Sequence, residues 1–154
     1  MSSNKMITLR DSVEIRTTPE KVFEWFMHFD ENYVSWHPDH MKCSYLKGKQ
    51  FEEGSVLYAE EYLHGKLHRM KFLTREVEPN KRVEYRMLFP ASIICKGGSF
   101  IMEGSGKGCL FAAILYFRFG RIFSKFLRAR VEAIKKHMTE EGENLKRILE
   151  GNGG

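Results

Sequence analysis

IFSKFLRARVEAIKKHMTEEGENLKRILE, residues 122–150, contains no proline and reads as one helix of about 28 residues, ~42 Å long at 1.5 Å per residue. Phe123, Leu127, Val131, Ile134, Leu145 and Ile148 recur at helical spacing and share one apolar stripe. The stretch before it has a different rhythm. From about Met41 to Phe119, the runs VLYAEEYL, KLHRMKFLTREVE, RVEYRMLF, SFIME and CLFAAILYFRF are parted by Gly48, Gly54, Gly65, Pro79-Asn80, Pro90, Gly97-Gly98 and the GSGKG of residues 104–108. Short strands punctuated in this way form an antiparallel meander. GSGKG lacks the spacing of a phosphate loop and is expected to be a hairpin turn. A curved antiparallel sheet must cover its concave face, and only the long helix is able to do so.

The chain upstream of the meander completes the plan. Between Met6 and Arg16, Ile7, Leu9, Val13 and Ile15 fall on one face, broken once by Asp11, as in a half-buried strand. It stops at Thr17-Thr18-Pro19-Glu20, where either Thr can cap a helix, Pro suits its first turn and Glu20 can close a capping box. Val22, Phe23, Phe26 and Phe29 then form a stripe, and Asp30–Asp39 holds a turn or a second brief helix. The expected class is α+β: a curved antiparallel sheet wrapped around a long C-terminal helix, with one or two short helices after the first strand. Residues 1–150 are expected to form one domain and residues 151–154 a loose tail.

Composition narrows the function classes. The chain has 154 residues, 42% hydrophobic and 29% charged, which argues against disorder. A net charge of +5 is mild beside the dense basic stripe of a nucleic-acid binder, so no nucleic-acid partner is expected. Arg118, Arg121, Lys125, Arg128 and Arg130 form a basic run read as a solvated face, with a protein partner or an anionic membrane as the minor alternative. Cys43, Cys95 and Cys109 cannot all pair and form no CxxC, so they read as free, mostly buried thiols of a reducing compartment. MSSNKMITLR has no apolar signal core, and the longest apolar run, Cys109–Phe117, falls far short of the ~20 residues of a membrane span. A cytoplasmic location without a transmembrane segment is expected, and a homodimer is compatible with the chain.

The helix stripe contains an anomaly. Taking Ile134 as zero, Glu141 lies about 20° and His137 about 60° from the stripe centre, while Glu140 points away. His137 and Glu141 stand at i and i+4 and can reach a common point. A carboxylate on an apolar face needs a proton, a partner or a metal. Candidate partners are His37 and His40 in WHPDH, and Glu60 or Glu61 in VLYAEEYLHG, one of which must face the concave side. His64 and His68 lie beside a turn and read as solvated. Two imidazoles and two carboxylates suit zinc or another divalent ion, leaving one position for water. For an i,i+4 His–Glu pair, an ordinary hydrogen bond is the commoner outcome.

The order of elements resembles the helix-grip fold of the SRPBCC superfamily, which includes START lipid-transfer domains, birch-pollen-allergen-like proteins and polyketide cyclases. VEIRTTPEKVFEWFMHFDENYVSW and VEPNKRVEY carry that likeness. WHPDH, AEEYLHG and HMTEEGENLK resemble, more narrowly, the diacetylphloroglucinol hydrolase-like branch. That resemblance implies zinc-dependent hydrolysis of a carbon–carbon bond beside an aryl ketone, with zinc held by His137, Glu141, Glu61 (alternate Glu60) and His40 (alternate His37). Glu61 is favoured over Glu60 because Leu57, Ala59 and Leu63 share its face, and His40 because it lies nearer the strand. Tyr33, Tyr58, Tyr62 and Tyr85 are the candidate proton donors. The resemblance has one departure: the chain is short, and the extra N-terminal region of the characterised hydrolases is expected to be absent. The rival reading is a carrier whose cavity holds a hydrophobic or aromatic small molecule and leaves it unchanged.

Overall fold

A computed structural model describes residues 5–119 and 125–151. Strand β1 (Lys5–Ile15) leads into helices α1 (Pro19–Met27) and α2 (Phe29–Trp36). Strands β2 (His40–Lys47), β3 (Val56–Leu63), β4 (Lys66–Glu78), β5 (Arg82–Met87), β6 (Cys95–Ser105) and β7 (Gly108–Phe119) follow, and α3 (Lys125–Gly151) ends the chain. The sheet is antiparallel throughout, in the order β1-β7-β6-β5-β4-β3-β2. This is the helix-grip arrangement. None of the described helices is long and apolar enough to cross a membrane. Arg121, Phe123 and the tail residues 152–154 lie outside the described residues.

β1 and β2 are opposite edges of the sheet, so α1 and α2 must carry the chain from one to the other. Thr18 caps α1 by accepting from the Lys21 N–H at 3.2 Å, and Pro19 fills the first turn. With Thr18 as the cap, Glu20 stands one residue too early to close a capping box, and its charge serves the helix N-terminus instead. The helices are driven onto the sheet by aromatic burial. Phe26, wholly buried, stacks on Phe111 of β7 at 5.5 Å between centroids and packs on Phe100 of β6 at 4.6 Å. Phe29 and Trp36 of α2 join the same cluster. Rings of this size dominate core energetics through the area they remove from water.

α3 lies along β1 and covers the concave face. Asp11, the break in the β1 pattern, faces it: Thr139 donates to Asp11 Oδ1 at 2.9 Å, and Gly142 leaves room for the carboxylate, since a Cβ there would stand 3.0 Å from Oδ2. Val131 and Met138 pack on Leu9, Phe117 and Phe119, while Leu145 reaches the aromatic cluster. Between these two apolar groups the grip stays open.

One expected turn is corrected and another holds. Gly97 and Gly98 form no turn but run inside β6, where a Cβ on Gly98 would lie 2.3 Å from the Ile114 carbonyl oxygen and 2.6 Å from the Tyr85 hydroxyl. The glycines make space for the Tyr85 ring. GSGKG does form the hairpin turn, with Ser105 opposite Gly108.

Candidate metal centre and cavity

One row across three strands lays down half the site. His40 of β2 stands opposite Glu61 of β3, and Glu61 opposite His68 of β4. Alternation back from Cys43 and Tyr45, which pack on the core, would turn Met41 inward and His40 outward. A β-bulge between His40 and Lys42 reverses this: the extra residue, Met41, is exposed and His40 is buried. The other half comes from α3, whose His137 and Glu141 project from successive turns onto the same point.

Four side chains meet there. Glu141 Oε2 lies 2.8 Å from His40 Nε2 and 3.0 Å from His137 Nε2; Glu61 Oε2 lies 3.0 Å from His137 Nε2 and 3.9 Å from His40 Nε2. The two imidazole nitrogens are 3.2 Å apart. All four donor atoms fall within 4.8 Å of one another. Donors bound tetrahedrally at the usual 2.0–2.1 Å would stand roughly 3.3 Å apart, so the set fits a zinc-sized ion.

The surrounding groups orient the donors. His40 Nδ1–H donates to the Tyr33 carbonyl at 2.8 Å, which turns Nε2 toward the cluster, where it faces Glu141 Oε2 at 2.8 Å. The Tyr33 ring stacks flat on His40 at 3.9 Å between centroids, and its hydroxyl donates to Glu61 Oε1 at 3.2 Å. Trp36 Nε1–H donates to the Glu141 carbonyl, and Asn144 donates to the Trp36 carbonyl, both at 2.9 Å. Helix α2 thereby ties α3 to β2. Burial pushes His137 down, but hydrogen bonds to Glu141 and Glu61 and their charges outweigh it and hold the imidazole up to about 10. Burial likewise pushes Glu141 up, and the hydrogen bonds from His137 and His40 more than reverse it.

The alternates lie elsewhere. Glu60 points to the other face, where Tyr58 donates to it and Arg69 stands 3.8 Å away. His37 accepts the Asp39 N–H on Nδ1 at 2.9 Å and donates from Nε2 to Glu140 at 2.8 Å. Both nitrogens are thus engaged, although His37, His137 and Glu140 also lie within 4.8 Å. Glu140, turned away from the stripe as expected and with its side chain 43% exposed, is nonetheless tied to His37. Its tie to His37 was illegible because a loop partner leaves no periodicity.

The cluster sits at one wall of a cavity of about 410 Å³ between sheet and helix. Phe72, Met87, Phe100, Leu115, Phe117 and Ile134 make its walls apolar. Tyr33 and Tyr85 line it, whereas Tyr62 is exposed and Tyr58 is held by Glu60. Burial, then the negative charges around it, pushes the Tyr85 phenol well above its ordinary range. His64 is exposed as expected, but His68 is half-buried and both line the cavity. The register to Glu61 is what turns His68 inward. Cys43, Cys95 and Cys109 are all free.

A family model described as polyketide cyclase / dehydrase and lipid transport matches residues 6–150. No curated protein matches the chain in sequence. Among solved structures, norcoclaurine synthase from Thalictrum flavum superposes with a TM-score of 0.72 at 11% identity, over 95% of this chain and 94% of that one. Ara h 8.0201 gives 0.71 at 14% identity, over 94% and 98%. The Zhui aromatase/cyclase from Streptomyces sp. R1128 gives 0.67 at 17% identity, over 97% and 100%.

Proposed function

Because the chain belongs to the polyketide cyclase / dehydrase and lipid transport family, whose fold takes small molecules, we propose that it is a metal-dependent hydrolase of a small aromatic or polyketide-like ketone. The ion is zinc or a similar divalent metal held by His40, Glu61, His137 and Glu141. The observation that carries this reading is the convergence of two imidazole nitrogens and two carboxylates, within 4.8 Å of one another, on the wall of an apolar cavity. A structural salt bridge needs two such groups, not four.

When bound, the ion would supply a Lewis acid for a ketone oxygen and would lower the pKa of a water toward about 7. The protein does the remainder. The apolar walls hold the substrate's ring and exclude bulk water. Tyr33 keeps Glu61 turned toward the cluster, and the Tyr33 carbonyl keeps His40 in the ligating tautomer. Tyr85 retains its proton across neutral pH and lines the same cavity as Glu61 and Glu141. Tyr33 and Tyr85, the two candidate tyrosines that line the cavity, are the proton sources within its walls for the carbon released when the carbon–carbon bond breaks.

Elemental analysis of purified protein, followed by zinc titration of the stripped form, tests the proposal. One ion per chain is expected, and a folded protein that takes up none would overturn it. The apolar cavity by itself also supports a carrier, and His137→Ala separates the two readings. A carrier keeps most of its affinity for an aromatic ligand, whereas the hydrolase loses metal and turnover together.

A further inference from the structure

Loop 88–94, between β5 and β6, is apolar on both sides. Pro90, Ala91 and Ile94 line the cavity, while Phe89 and Ile93 of the same loop are 75% and 61% exposed. The loop is tied to the sheet. The Arg118 N–H donates to the Ile94 carbonyl at 2.8 Å, and Arg118 stands opposite Met6, itself exposed. Solvent-facing phenylalanine and isoleucine on a cavity-lining loop have no role in the core.

Along the sequence on either side of this loop, the charge is almost all of one sign. From Tyr85 to Val131 the chain carries Arg86, Lys96, Lys107, Arg118, Arg121, Lys125, Arg128 and Arg130 against a single acid, Glu103. Glu103 and Lys107 belong to the β6–β7 hairpin, at the opposite end of the sheet. Among the described residues near the patch, Lys96 reaches the Ser92 carbonyl of the loop, and Arg86 stands opposite Gly97 at its base. Glu132 on α3 is the nearest acid along that helix and is paired with Lys135. Glu60, on the neighbouring hairpin, lies beside Arg69.

We infer that the cavity mouth docks on an anionic lipid bilayer, with Phe89 and Ile93 entering the interface and Arg86, Lys96 and Arg118 meeting lipid headgroups. Exposed apolar tips with Arg86, Lys96 and Arg118 beside their loop suit that partner in both respects. Duplex DNA would use the cations but leave the two large side chains in water, and an acidic protein would require a matching apolar pocket. The loop that enters the interface also walls the cavity, so a lipophilic ligand could pass from bilayer to cavity without crossing water. This docking does not depend on the metal centre.

Co-sedimentation of the full chain with vesicles of phosphatidylcholine, alone and with phosphatidylglycerol added, tests the inference. Binding is expected only to the anionic vesicles and falls as NaCl is raised. Arg118→Gln should weaken it about fivefold and Phe89→Ser about tenfold, with circular dichroism and thermal unfolding unchanged. In the Phe89→Trp chain, emission should shift to the blue on anionic vesicles and be quenched by brominated lipid. Equal binding to both vesicles, binding to neither, emission from the introduced indole that brominated lipid leaves unquenched, or tighter binding to duplex DNA than to anionic vesicles would each overturn it.

Discussion

His40 donates its Nδ1 proton to the main-chain carbonyl of Tyr33 at 2.8 Å, and the Tyr33 ring lies flat against the same imidazole. A carbonyl can only accept, so the tautomer of His40 is fixed by the backbone of α2 rather than by any ligand. Nε2 is therefore the ring nitrogen turned toward the cluster, and a metal binding there would displace any proton it shares with Glu141.

Removing either partner should act differently. Tyr33→Phe keeps the carbonyl and the stacked ring but loses the hydroxyl that steers Glu61. Zinc affinity is expected to fall about 10–100-fold while stoichiometry stays at one. His40→Ala removes a donor and leaves the buried Tyr33 carbonyl unpaired, at about 1–3 kcal/mol of stability. Calorimetric zinc titration and denaturant unfolding of the two variants check the contrast.

The adjacent glutamates offer an internal control. Glu61→Gln takes one charge out of the cluster and should weaken zinc binding by about 100-fold or more, beyond the loss seen when only a supporting group is changed. Glu60→Gln changes contacts with Tyr58 and Arg69 on the other face and should leave both zinc affinity and stability within about 0.5 kcal/mol of the parent. Equal losses in the two variants would contradict the strand facing.

Much of this was written in the periodicity. The stripe through Val131, Ile134 and Leu145 gave the covering helix, and the apolar face of Leu57 and Ala59 placed Glu61 inward. His40 was a different matter, because alternation along β2 points to Met41. A bulge is a change of register, which depends on the partner strand and leaves no mark in the strand's own pattern. The same limit hid His68, whose inward turn follows from its position opposite Glu61. The Asp11 break was visible, but its partner, Thr139, lies 128 residues away.

The bulge itself can be tested. Met41 and Lys42 together occupy the outward position before Cys43, so deleting Met41 gives a regular ladder with His40 still opposite Glu61. The deletion variant should fold and bind zinc with the parent stoichiometry. Loss of zinc in a folded deletion variant would show that the bulge does more than set the side on which His40 emerges.

In the metal-free protein, the raised His137 makes stability depend on pH in a definable window. An unfolded histidine titrates near 6.5, whereas hydrogen bonds to Glu141 and Glu61 outweigh burial and hold His137 up to about 10. Between these values the folded chain keeps a proton that the unfolded chain has lost. The stabilisation is full below about pH 6.5 and disappears as pH rises through 10. Glu141 works in the opposite sense: its folded value lies below the ordinary carboxylate range, so its share is present above about pH 4.5 and fades in stronger acid. The two describe one coupled cluster and are not added. Thermal unfolding of zinc-stripped protein should therefore show a plateau from about pH 4.5 to 6.5 and a falling Tm toward pH 10. His137→Gln should flatten the alkaline fall relative to the parent, and so should saturating zinc, because a ligating imidazole nitrogen has no proton to give up. A parent and a His137→Gln variant with the same alkaline slope would show that His137 does not share its proton with these acids.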